Sequence, residues 1–115
     1  MEMSGTLIRV ADYIAQYLAN YGVKHVFMIS GGGAMHLNDA FGRCKEIEYI
    51  CNYNEQASAI SAEGYARTAG KLAVVNVTTG PGGTNAVSGV FGQWTDSVPV
   101  LYISGQVKRE TMISS

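Results

Sequence analysis

The feature that most restricts this chain is a repeated junction. A short apolar run breaks directly into a turn-forming segment, and a helix-like segment follows. Val26-Phe27-Met28-Ile29 runs into Ser30-Gly31-Gly32-Gly33, Ile47 to Cys51 into Asn52-Tyr53-Asn54-Glu55, and Leu72 to Thr78 into Thr79-Gly80-Pro81-Gly82-Gly83. A fourth apolar run covers Pro99 to Ser104. Runs this short and continuous read as buried strands, and the segments between them read as helices. These helices span Ala34 to Phe41, Glu55 to Ala69 (stopped by Gly70) and Thr84 to about Trp94. Ahead of them Leu7, Val10, Ala11, Ile14 and Leu18 recur at helical spacing, with Thr6 placed to cap and Gly22 to stop that helix. Strands alternating with helices imply an α/β fold of three layers, α/β/α, with a central, mostly parallel sheet covered on both faces. Such sheets bind ligands beyond the carboxyl ends of their strands, and three of the turn segments fall on that rim.

The chain of 115 residues suits one domain, spanning residues 1–115. Hydrophobic residues are 47% and charged residues only 15%, against about 25% charged in ordinary domains. Two readings fit: a surface covered by a partner domain or subunit, or a polar, uncharged surface. A net charge of −1 gives no electrostatic footprint for nucleic acid or an anionic membrane, and the Lys108-Arg109 pair reads as a solvated tail. No apolar run approaches the roughly 18 residues of a membrane helix. Met1-Glu2-Met3-Ser4 lacks the basic and apolar regions of a signal peptide. Cys44 and Cys51 match neither a metal site nor a disulfide framework and read as buried thiols. A cytoplasmic protein is expected. Parallel sheets of this kind usually continue past the fourth strand, so a fragment of a longer polypeptide, truncated at its C-terminus, is also expected.

On local sequence the first glycine loop is either a close approach of backbone to a ligand or a tight strand-to-helix turn. It is not a dinucleotide fingerprint, because His36 stands where glycine or alanine is needed. The second opens a helix, where exposed amides favour anions and polar ring atoms, but no Gly-Lys-Ser/Thr follows. Glu55 also has two readings. Asn52 can cap a helix with Glu55 reaching back three residues later, or the carboxylate can serve chemistry on the rim. Ala57, Ser58, Ala59, Ser61, Ala62, Gly64 and Ala66 leave its helix almost smooth, suited to close packing inside the domain or against a subunit. His25, His36, Tyr65 and Arg67 read as local packing or pairing, and Asp39 and Asp96 as solvated helix residues.

Five ordered stretches carry a resemblance. They are Asn54-Glu55-Gln56-Ala57, Glu63 to Lys71, Thr79-Gly80-Pro81-Gly82-Gly83-Thr84-Asn85, Asp96-Ser97-Val98-Pro99-Val100 and Ser104-Gly105-Gln106-Val107. From about Thr6 to Val107 the chain resembles the N-terminal pyrimidine-binding (Pyr) domain of thiamine-diphosphate enzymes, in the branch of acetolactate synthase, pyruvate oxidase and the decarboxylases. The resemblance implies that Glu55 hydrogen-bonds the cofactor pyrimidine N1′ and promotes attack on a 2-keto acid. It further implies cofactor contacts from Ser30, Gly31, Gly32, Thr78, Thr79, Pro81, Gly82 and Asn85. Mg²⁺ and the diphosphate would be held by a C-terminal domain absent from this chain, supplied by a partner subunit in a homodimer or homotetramer. Some relatives also bind FAD in a middle domain. The isolated chain is then expected to be inactive. A non-catalytic interaction or regulatory subunit of the same fold is the alternative. Asn54 stands where the family usually has His, and Met28-Ile29-Ser30-Gly31 where it has Gly-x-Pro-Gly. Both departures bear on the substrate.

Overall fold

A computed structural model describes residues 7–113. The elements follow the order read from the sequence: α1 (Val10–Tyr21), β1 (His25–Met28), a short 3₁₀ turn at Gly32–Ala34, α2 (Met35–Arg43), β2 (Glu48–Cys51), α3 (Glu55–Ala69), β3 (Ala73–Val77), α4 (Pro81–Asp96) and β4 (Val100–Ser104). The four strands form one parallel sheet in the order β2-β1-β3-β4. The chain therefore steps outward from β1 to β2, then returns across β1 to lay β3 on its other side. This reversal puts the topological switch point between β1 and β3, where a parallel sheet opens a crevice at the carboxyl ends of its strands.

Two apolar layers explain the stacking. Val26, Met28 and Val74 face α1 and α2, packing on Ala11, Ala15, Leu18, Ala40 and Phe41. Phe27, Ala73, Val75 and Val77 face the other way, onto Ala62 and Ala66 of α3 and Ala86 of α4. All five residues of β3 are buried. Both faces are covered only at the centre, however, because β2 and β4 are edge strands with most residues open or partly open.

Several local expectations are corrected. Leu7 is fully exposed and precedes α1, whose buried face is Ala11, Ala15 and Leu18; the expected cap, Thr6, lies outside the described residues. Gly22 and Gly70 do end α1 and α3 with positive φ. Helix α4 starts at Pro81 rather than Thr84, since a proline ring already has helical φ and the first turn needs no N–H from it. Cys44 is half-buried and Cys51 exposed, because the second lies on an edge strand. Asp39 and Asp96 are exposed but not merely solvated. Asp39 and Asp12 accept from both Arg9 and Arg43, tying α1 to α2, and Asp96 pairs with Arg67, which also holds Glu63. The two arginines hold the Asp39 carboxyl down at about 2, Arg43 contributing more than Arg9. His25 starts β1, its ring edge-on to Tyr65 and 3.3 Å from Glu48.

Candidate functional site at the carboxyl rim

The rim is built from the segments after β1, β2 and β3. After β2 the chain turns into α3, and Asn54 caps it: its side chain accepts from the Ala57 N–H at 2.7 Å. The cap expected at Asn52 is thus two residues late. Asn52 instead accepts from Ser58 at 3.1 Å and donates to Ser61 at 3.4 Å, pinning the turn to α3. Glu55 is consequently the first residue of α3, not the third of a capping box. It makes no bond back to the turn, so the carboxylate points elsewhere.

It points at α4. Glu55 Oε2 accepts from Asn85 Nδ2 at 3.1 Å. The other oxygen, Oε1, accepts nothing among the described residues and lies 3.5 Å from where a Cβ on Gly82 would stand. Glu55 is half-buried and Asn85 exposed. The helices that carry them pack closely: Gly89 of α4 leaves no room for a side chain against Ala59 of α3. The buried Gln93 clasps both layers, donating to the Ala59 carbonyl at 2.9 Å and accepting from Tyr102 at 2.7 Å. The buried small residues of α3, Ser58, Ala59, Ala62 and Ala66, therefore serve contact inside the domain, while Gly64 is exposed.

The glycines have a common reason. A Cβ on Gly31 would fall 2.5 Å from Thr78 Cβ, and one on Gly82 would fall 2.7 Å from Thr78 Cγ2. Thr78 is wedged between the first loop and the start of α4, and its hydroxyl also accepts from the Gly33 N–H at 3.1 Å. Gly80 has φ of 61°, the left-handed turn that lets β3 break into α4. Of the expected cofactor-binding residues, Gly31, Thr78, Gly82, Glu55 and Asn85 thus come together. Thr79 turns aside to Gln106 at 3.1 Å. Ser30, Gly32 and Pro81 are exposed at the rim. Two residues with no motif to mark them back the first loop: Asn38, which donates to the Gly31 carbonyl at 3.3 Å, and Asn76, which donates to Asn38 at 2.8 Å. The one sequence sign of the second was a lone amide inside a valine-rich strand.

A half-buried carboxylate with one oxygen open, beside glycine backbone at a switch point, can receive a hydrogen bond from a protonatable ring nitrogen. The sequence profile described as thiamine pyrophosphate enzyme, N-terminal TPP binding domain, matches residues 8–112. The chain belongs to this family. As such a domain, it is 45% identical over 97 residues to the acetolactate synthase large subunit of Haemophilus influenzae, covering 84% of this chain and 17% of that protein. It is 44% identical over 97 residues to the large subunit of Lactococcus lactis, with 84% and 17% covered. With the chloroplastic acetolactate synthase of Arabidopsis thaliana the identity is 41% over 99 residues, covering 86% and 15%. The chain thus spans about one sixth of the length of these relatives. Among the described residues no helix is long and apolar enough to cross a membrane.

Proposed function

We propose that this domain holds the aminopyrimidine of thiamine diphosphate, with Glu55 activating it, inside a longer acetolactate-synthase-like protein that acts on a 2-keto acid. The observation that carries the reading is the Glu55 carboxylate, tethered at Oε2 by Asn85 and open at Oε1. The residues present fit the group. A carboxylate accepts from a protonated ring nitrogen, and Gly82 lets a flat ring approach where a Cβ would intrude on Thr78 and crowd Glu55. Asn85 keeps one oxygen occupied and so orients the other toward the ring. Glu55 would share a proton at Oε1 with the pyrimidine, which is the chain's own contribution to catalysis. The bound cofactor supplies the carbon nucleophile and the electron sink for decarboxylation. Ser30, Gly31, Gly32, Thr78, Thr79 and Pro81 would shape the walls around it.

Mg²⁺ and the diphosphate fall to a C-terminal domain of a partner subunit. Exposed Val87, Phe91 and Trp94 along the outer side of α4 support that reading, as a contiguous apolar patch of the kind that interfaces bury. The chain alone should bind the cofactor weakly and not turn over; micromolar, Mg²⁺-dependent binding by the 115-residue chain in calorimetry would sink that part. The central test is Glu55→Gln in the full-length protein. It keeps the shape, removes the proton-sharing oxygen, and should lower kcat by roughly 10²–10⁴. Turnover equal to the parent would refute the role of Glu55, and a full-length parent without turnover would leave the non-catalytic module as the better reading.

A further inference from the structure

We infer that Asn38 and Asn76 are positioning residues, a two-amide relay that sets the orientation of the Gly31–Gly32 peptide at the cofactor rim. The inference rests on the proposed reading of that rim. Asn76 lies in the buried centre of β3, 0% exposed, in register with Met28 on one side and Ile103 on the other. It faces the α1–α2 side, where its strand neighbour Val74 packs in an apolar cluster. Its amide donates to Asn38 Oδ1 at 2.8 Å, and the Asn38 amide donates to the Gly31 carbonyl at 3.3 Å. The Gly31 carbonyl also accepts from the Ala34 N–H at 3.0 Å. Both of its lone pairs are then occupied, so this carbonyl has nothing left to offer a ligand.

Its peptide partner does. In a planar trans peptide the N–H points opposite to the C=O, and the described chain has no cis bond. Holding the Gly31 carbonyl against α2 therefore turns the Gly32 N–H away from α2. Gly32 is exposed, and a Cβ built on it would meet nothing within 4 Å. The relay thus aims one backbone donor away from α2 at an exposed position of the rim. Stability alone does not account for the relay. Asn76 Oδ1 is buried without a partner among the described residues, and an orphaned buried acceptor is unfavourable. An apolar side chain would suit that layer better. What the asparagine adds is the donor that fixes Asn38, and through it the peptide.

The test uses the full-length protein with Asn76→Leu, Asn38→Ala and the double variant. Thiamine diphosphate binding is measured by calorimetry with Mg²⁺, and the near-ultraviolet circular dichroism of the bound cofactor is recorded at saturation. Each single variant should bind the cofactor roughly twofold to tenfold more weakly, the range expected for one lost hydrogen bond. The double variant should lose no more than the weaker single, because both act through one peptide. Asn76→Leu should unfold at the parent's temperature or above it, and the dichroic band should change. Parent-like affinity and spectrum in both single variants, or losses that multiply in the double, would overturn the inference. Should Asn76→Leu not fold, the half-buried Asn38→Ala carries the same readings. A parent protein that fails to bind the cofactor refutes the proposed function. A parent that binds, with Glu55→Gln impaired and the asparagine variants unaffected, refutes the relay alone.

Discussion

Replacing Gly89 by Ala tests what sets the distance between Glu55 and Asn85. In an ordinary helix interior this change is favourable by about 1 kcal/mol. Here the new Cβ would lie closer than 3.0 Å to Ala59 Cβ, with the Tyr102 hydroxyl at 3.3 Å. Ala59 has no rotamer to yield, so α3 and α4 must separate until the carbons reach ~3.5–4.0 Å. That is a shift of at least ~0.5–1 Å. Gly89 and Ala59 stand one turn below Asn85 and Glu55, about 6 Å along each helix. Helices that move as rods carry the shift to the rim, stretching the 3.1 Å bond between Asn85 and Glu55 beyond hydrogen-bonding range. Overpacking costs about 1–3 kcal/mol and the lost bond about 1 kcal/mol; with the propensity gain set against them, the net loss is about 1–3 kcal/mol. Gly64→Ala is the control, because α3 leaves that position open, with nothing within 4 Å. It should stabilise by about 0.5–1 kcal/mol. Urea unfolding followed by far-ultraviolet dichroism gives both values, and calorimetry of the full-length protein with thiamine diphosphate and Mg²⁺ reads the rim. If Gly89→Ala proves as stable as Gly64→Ala and binds cofactor like the parent, then the α3–α4 contact does not set the rim.

Other expectations are simpler to state. Asn54→Ala removes the cap of α3 and should cost about 0.5–2 kcal/mol in denaturant unfolding; Asn52→Ala should leave the cap bond intact. Asp39 ionises more readily folded than unfolded, since its carboxyl is held at about 2 against an ordinary 3.8. Its contribution is therefore present above about pH 4 and lost as pH falls from there toward 2. An acid-unfolding series should show Asp39→Asn losing that part of the slope, and salt should shrink the difference because the pair is exposed. Phe91→Glu places a charge in the exposed stripe of α4 and should weaken self-association of the full-length protein in sedimentation; an unchanged sedimentation coefficient across the dilution range would count against that surface. Ser97 ends α4 with φ of 54°, a strained conformation for a residue with a Cβ. Ser97→Gly should gain up to ~1 kcal/mol in the same unfolding assay.

Most of the architecture was legible because the apolar runs and glycine breaks are local signals. The order of elements, the Gly22 and Gly70 stops and the convergence of three turns on one edge all follow from neighbours in sequence. What was not legible depends on distant partners. Nothing near Gly31 or Gly82 reveals that Thr78 fills the space between them, so the glycines could be read only as permissive. Asn52 and Asn54 are equally good caps on paper, and the choice was made by Ser58 and Ser61 engaging Asn52. The exposure of Cys51 and of β4 is not legible because an apolar run does not announce whether its strand lies at the sheet's centre or edge. Asn76 is not legible because a strand pattern averages over a single polar residue.

The position of β1 also governs the order in which the molecule can be assembled. It is the first strand made, yet it sits inside the sheet, and its neighbour β3 begins at Ala73. At about 5–20 residues per second of synthesis, β1 waits some seconds with one edge unpaired. The first loop waits longer, because Gly105 packs directly on the backbone of Gly33. The contact that backs the first loop is thus made only after β4 has been synthesised. A nascent domain passes through an interval with its sheet half-zipped and its first loop not yet backed by Gly105.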